Sequence, residues 1–206
     1  MNVIFEGISG AGKSTIYNKV CNKLDYLNID YEAIGDLQYE TPIKKVLLDL
    51  VEESPIMKES RNFKTSLYES LLLAANHHYV QEKLRNSNKI CLYDRDYISL
   101  LTYQKEILKS EYQNYEEIYE LYKKIVLFDL KKIDYIFHVD TPIEICIERT
   151  EKRDERKYSE YDIRMLKQIK QNFIEELKDN PNVIMLKGNE DVNKNSDKVL
   201  QIILKK

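Results

Sequence analysis

The chain has no tryptophan, and among its 206 residues only five are glycine, four proline and three cysteine. Cys21, Cys91 and Cys146 lie far apart with no paired spacing, which fits neither a disulfide framework nor a zinc knuckle. A reducing, cytoplasmic setting is the default. No apolar run approaches the roughly 18 residues of a membrane span, and Met1 leads directly into a glycine-bearing stretch, so membrane insertion and secretion are not expected. Neither sign of charge dominates: 32 basic and 35 acidic side chains leave a formal net charge of -3. There is no global attraction for nucleic acid and no basic stripe to supply a local one. The length predicts a single domain over residues 1–206.

What is present alternates between short β-like runs and helical periodicity. Residues 2–6 (NVIFE) are too few for a helix and rich in β-formers, and the same reading applies to 30–34, 89–93, 134–139 and 183–186. Helical patterns are expected from 13 on, then from Thr41-Pro42 through 51, over 62–84, 99–108, 111–128, from Thr141-Pro142 toward 149, over 159–177, and up to 204. Strands alternating with helices predict one α/β domain, an open parallel sheet covered by helices on both faces. Tyr112, Tyr115, Tyr119 and Tyr122 form one helical stripe, read as a packing face, with a subunit interface as the alternative.

Three of the five glycines fall together in Gly7-Ile8-Ser9-Gly10-Ala11-Gly12-Lys13-Ser14, which fits G-x-x-x-x-G-K-[ST] between a strand and a helix. That spacing lets consecutive backbone N–H groups curl around a phosphate while the helix dipole adds positive potential. Gly7, Ser9, Gly10, Ala11, Gly12, Lys13, Ser14 and Thr15 are the expected ATP-binding residues. Lys13 is expected on the β- and γ-phosphates and Ser14 on Mg²⁺. Asp94, ending the run ICLY, is placed to hold the same metal, and Arg95 beside it to grip an acceptor phosphate or the transferring group.

Glu6-Gly7 leading into GISGAGKST, then Asp94-Arg95 followed by Ser99 and Tyr103-Gln104, resembles the thymidylate kinases and their deoxynucleoside kinase relatives. The stretch LLLAANH, ending at His77, is similar to the helix lining their nucleobase pocket, and DYIFHVDTPIEICIERT resembles their fourth strand and following helix. The resemblance implies a P-loop NTPase fold with a five-stranded parallel sheet, ATP-dependent phosphorylation of a nucleoside monophosphate, most simply dTMP to dTDP, and commonly a homodimer. It places Arg95 on the acceptor 5′-phosphate and Ser99, Tyr103 and Gln104 around the base. It assigns Arg149, Arg153 and Arg156 to a mobile lid over about 149–160, with Arg149 beside the adenine. The uncharged phosphate loop offers no arginine, so a lid arginine is expected to supply the missing cation. The three would share one face if their helix persists through 156; a solvated, ion-paired helix is the bland alternative.

Two departures bear on the acceptor. The basic residue and Glu-Pro-Gly-Gly usual after the second strand are replaced by Gly35-Asp36-Leu37-Gln38-Tyr39-Glu40, and Asp36 could instead act as general base on a 5′-hydroxyl, as in a deoxynucleoside kinase. His77 stands where thymidylate kinases commonly have an arginine, and a neutral imidazole is expected to donate one hydrogen bond there. His77-His78 is not expected to bind metal, because neighbours on a helix point about 100° apart. His138 reads as a core histidine. A regulatory nucleotide-binding protein is the lesser alternative, with no guanine-reading N-K-x-D to support a GTPase.

Overall fold

The computed structural model describes residues 1–35, 39–53 and 66–205. Five strands, β1 (Asn2–Glu6), β2 (Tyr31–Ile34), β3 (Ile90–Asp94), β4 (Tyr135–Asp140) and β5 (Val183–Lys187), form one all-parallel sheet in the order β2-β3-β1-β4-β5. The described helices are α1 (Lys13–Tyr26), α2 (Lys44–Glu53), α3 (Ser66–Lys83), α4 (Tyr97–Glu111), α5 (Tyr115–Val126), α6 (Ile143–Arg153), α7 (Glu160–Leu177) and α8 (Val192–Ile203). This is the P-loop NTPase fold, an α/β sandwich.

The apolar runs of β1, β3 and β4 are central and buried on both faces, whereas β2 and β5 are partly buried edge strands. Side chains alternate across a strand. Phe5 packs edge-on against Tyr17 of α1, with ring centroids 5.6 Å apart, and stacks on Phe137 at 5.5 Å. The next residue in each strand points the other way: Glu6 reaches the start of α4, and His138 stacks on Phe173 of α7 at 5.7 Å. Helices α1 and α4 therefore cover opposite faces, with α8 against α1 and α7 against α4. β1 lies between β3 and β4, so the chain leaves its carboxyl end at the point where the winding reverses, where α/β sheets open a crevice for ligands. Register puts Phe5 opposite both Asp94 and Phe137, which brings Asp94 and Arg95 beside the glycine loop.

Three local expectations are corrected. The helix expected from Thr41-Pro42 begins at Lys44, and the Thr41 hydroxyl donates to Asn76 Oδ1 (2.6 Å) instead of capping. Thr141 likewise does not cap α6; its hydroxyl donates to the Ala11 carbonyl at 2.8 Å. α6 ends at Arg153, and Glu155 turns the chain with φ 51°, so Arg156 does not continue the face of Arg149 and Arg153. A new helix starts instead, where Ser159 and Asp162 form a reciprocal capping box. The expected start of the helix at 62 lies outside the described residues. The tyrosine stripe packs as read: Tyr119 and Tyr122 are buried against Ala74, Leu101 and Leu108, with Tyr112 and Tyr115 at the margin.

Candidate active site

The glycine loop opens α1 without a side-chain cap. Gly12 occupies the N-cap in the left-handed region (φ 96°), a conformation that costs a side chain energy and leaves the first-turn N–H groups open to an anion. Lys13 is buried, with Nζ 3.8 Å from Asp94 Oδ1, while the Ser14 and Thr15 side chains are exposed beside it. Distant elements brace the loop at several points. Besides Thr141, the Arg149 guanidinium donates to the Gly10 carbonyl (3.2 Å) and the Gly188 carbonyl (3.2 Å), and the Ser9 N–H donates to the Tyr103 hydroxyl (3.0 Å). A cavity of about 240 Å³ opens on this side, lined by Gly12, Thr15, Arg149, Gly188, Glu190 and Val192.

Across the loop lies a second cavity, about 90 Å³, between the end of β2, α3 and the start of α4. Gly35, Tyr39, Asn76, His77, Arg95 and Ser99 contribute to its wall. Arg95 has φ 75°, rare and strained for a residue with a side chain. Its backbone N–H donates to the Phe5 carbonyl (3.0 Å), its guanidinium donates to the Gly7 carbonyl (3.2 Å) and Ser99 Oγ (3.1 Å), and it lies over the Tyr103 ring at 5.1 Å. The strain aims a cation at the boundary between loop and cavity.

Behind Arg95 stands Glu6, fully buried. Its Oε1 accepts from the backbone N–H groups of Asp96 (3.0 Å) and Ser99 (3.2 Å), capping α4, and its Oε2 accepts from the Ser99 hydroxyl (2.5 Å). Burial pushes its pKa up to about 7, against the opposing pull of the Ser99 hydrogen bond, Arg95 and the Asp96 N–H. Asp96 is thereby freed from capping, and its Oδ1 lies 2.8 Å from His77 Nδ1.

The predicted residues divide accordingly. Gly7 to Thr15, Asp94 and Arg95 lie together at the carboxyl ends of β1 and β3. Ser99 and His77 line the second cavity, whereas Tyr103 braces the phosphate loop and Gln104 lies buried between α4 and α3, accepting from the Ser70 hydroxyl at 2.7 Å. Arg149 reaches the loop. Arg153 pairs with its neighbour Asp154 (2.7 Å) and feels the repulsion of Arg95. Arg156 is anchored on Asp162 (2.7 Å) and lies over Tyr158. Asp36 lies outside the described residues. The expected donor role of His77 is also revised: the one N–H of a neutral imidazole is directed to Asp96.

The model of the family described as thymidylate kinase matches residues 5–199. The chain belongs to the thymidylate kinase family. It is 30% identical over 178 residues to the "Probable thymidylate kinase" of Methanobrevibacter smithii, covering 85% of this chain and 80% of that protein. It is 26% identical over 210 residues to the thymidylate kinase of Mycoplasmoides gallisepticum, covering 98% and 92% respectively. Among solved structures, deoxyadenosine kinase from M. mycoides with bound dATP superposes with a TM-score of 0.72 at 16% identity, over 99% of this chain and 100% of that one, a likeness of fold.

Glu6, Asp96, Thr141 and Gly188 escaped the functional reading of the sequence. Glu6 had a usable signal, a carboxylate closing a run buried on both faces. Gly188 had one too, as an isolated glycine in a chain with few: a Cβ there would run into the Ala11 carbonyl and Thr141 Oγ1.

Proposed function

We propose that this thymidylate kinase family member transfers the γ-phosphoryl group of ATP to the 5′-phosphate of dTMP, yielding dTDP and ADP. The carrying observation is Arg95, held in a strained conformation with its guanidinium where the phosphate loop meets the smaller cavity. A monophosphate seated in that cavity would meet Arg95 with its phosphate and α3 with its base. The donor's triphosphate would lie on the loop amides and Lys13, with its adenine toward the cavity beside Arg149 and Gly188.

The metal fit is favourable. Asp94 Oδ1 is buried with no hydrogen-bond partner among the described residues, and Ser14, which follows the Lys13 that lies 3.8 Å from it, has an exposed side chain. One carboxylate, one hydroxyl and phosphate oxygens are what Mg²⁺ takes in such sites. Asp94 and Ser14 would hold it, and the ion would neutralise charge on the β- and γ-phosphates. Lys13 balances the same oxygens, and Arg95 draws the acceptor oxygen into line, so catalysis here is positioning and charge stabilisation.

Residues 149–160 act as the lid in this reading. Arg149 is fixed on the loop and Arg156 on Asp162, so Arg153, on the side of Arg95, is the lid cation that moves onto the transferring group when Asp154 releases it. A homodimer is supported by exposed Tyr68 and Leu71 on α3 and Leu121 and Ile125 on α5, helices that pack together.

The test is an ADP-release assay with Mg²⁺-ATP over the four deoxynucleosides and their 5′-monophosphates. Turnover highest on dTMP is expected. Turnover confined to deoxynucleosides would overturn the reading in favour of Asp36 as general base on a 5′-hydroxyl.

A further inference from the structure

His77 on α3 and Asp96 at the start of α4 both line the acceptor cavity, and both are buried. His77 Nδ1 lies 2.8 Å from Asp96 Oδ1. Gln81, one turn further along α3, directs Nε2 to the other carboxylate oxygen at 3.3 Å. A carboxylate approached by two nitrogen groups accepts from both, which fixes the imidazole hydrogen on Nδ1. The other ring nitrogen, Nε2, is buried and has no hydrogen-bond partner among the described residues. A native fold seldom shuts away a lone pair without a use for it.

We propose that His77 Nε2 reads the acceptor base as a hydrogen-bond acceptor, and that Asp96 is a positioning residue that locks the tautomer. The inference rests on the thymidylate reading above and adds the polarity of recognition. A guanidinium at this place carries only donors and selects a base carbonyl. His77, with its hydrogen directed to Asp96, presents a lone pair and selects a base N–H. Thymine offers one at N3. A base methylated at that nitrogen offers none, and the unmatched lone pair then disfavours it.

The experiment compares kcat/KM for dTMP and for 3-methylthymidine 5′-phosphate under mildly alkaline conditions, in the wild type and in Asp96→Asn. The wild type should prefer dTMP by about a hundredfold. In Asp96→Asn the amide can donate to Nδ1 and shift the ring hydrogen to Nε2. We expect the rate on dTMP to fall on the order of tenfold and the preference over the methylated nucleotide to collapse with it. Should Asp96→Asn fail to fold, His77→Phe, which keeps a ring and removes the lone pair, should show the same collapse. Equal rates on the two nucleotides in the wild type would overturn the proposal. So would a preference that survives in the variants, because exclusion by bulk alone does not depend on the tautomer. If the wild type ignores dTMP and uses another acceptor, the thymidylate reading fails by itself, and the same comparison on that acceptor and its N-methylated form decides the role of His77.

Discussion

Two buried titratable groups, on adjacent central strands and paired in register, give the protein a concealed pH dependence. Burial raises the Glu6 carboxyl from its ordinary 4.5 to about 7, and burial lowers the His138 imidazole from 6.5 to about 4. Between about pH 4.5 and 7 folded Glu6 keeps a proton that the unfolded chain has released, so stability falls as pH rises through that window. Between about pH 4 and 6.5 the unfolded chain binds a proton at His138 that the fold excludes, so stability rises with pH. At about 1.4 kcal/mol for each pH unit, either limb is on the order of 3 kcal/mol, and across the shared range they offset each other. Glu6→Gln removes the falling limb alone. Its carbonyl still accepts from the Asp96 and Ser99 N–H groups, and its amide still meets the Ser99 hydroxyl, so the cap on α4 survives. Thermal melts of both proteins across this range should therefore diverge: Tm of Glu6→Gln minus Tm of wild type should grow by roughly 6 to 12 °C from the acid to the neutral end. Taking the difference cancels the surface carboxylates common to both. His138→Phe, stacked on Phe173 as His138 is, should diverge with the opposite sign. Parallel melting curves for wild type and Glu6→Gln would show that Glu6 ionises in the fold as it does in water, and would refute burial as the cause.

Lys13→Ala removes the buried cation 3.8 Å from Asp94 and should lower kcat on the order of a hundred- to thousandfold, checked in a coupled ADP assay. The proposed lid brings Arg153 onto the transferring group only when closed, so Arg153→Ala should reduce kcat on the order of a thousandfold with little change in KM for ATP; an unchanged kcat removes it from the lid mechanism. Gly188→Ala forces a methyl group against the Ala11 carbonyl and Thr141, and should weaken ATP binding and lower Tm together, measured by calorimetry and thermal melting.

What could be seen in the sequence follows from how local each signal is. The phosphate loop was legible because its chemistry lies in eight consecutive residues, and the central strands because burial on both faces leaves an apolar run whatever surrounds it. Asp94 and Arg95 were legible because they end such a run, and parallel register carries every strand's carboxyl end to the same side. Tyr103 and Thr141 were misplaced for the opposite reason. Each carries a hydroxyl that could cap a helix or face a base, and only the approach of α4 and of the β4–α6 turn to the loop decides that both brace it instead. Arg156 was misjudged because a helical face was extended through a run of ten residues, 148–157, nine of them charged, and the capping box at Ser159 starts a new helix there. The His77–Asp96 pair is the extreme case: nineteen positions separate the two, no periodicity connects them, and their meaning depends on which ring nitrogen holds the hydrogen. That choice is made by Asp96, and Asp96 is free to make it only because Glu6, from a third element, has taken over the cap of α4.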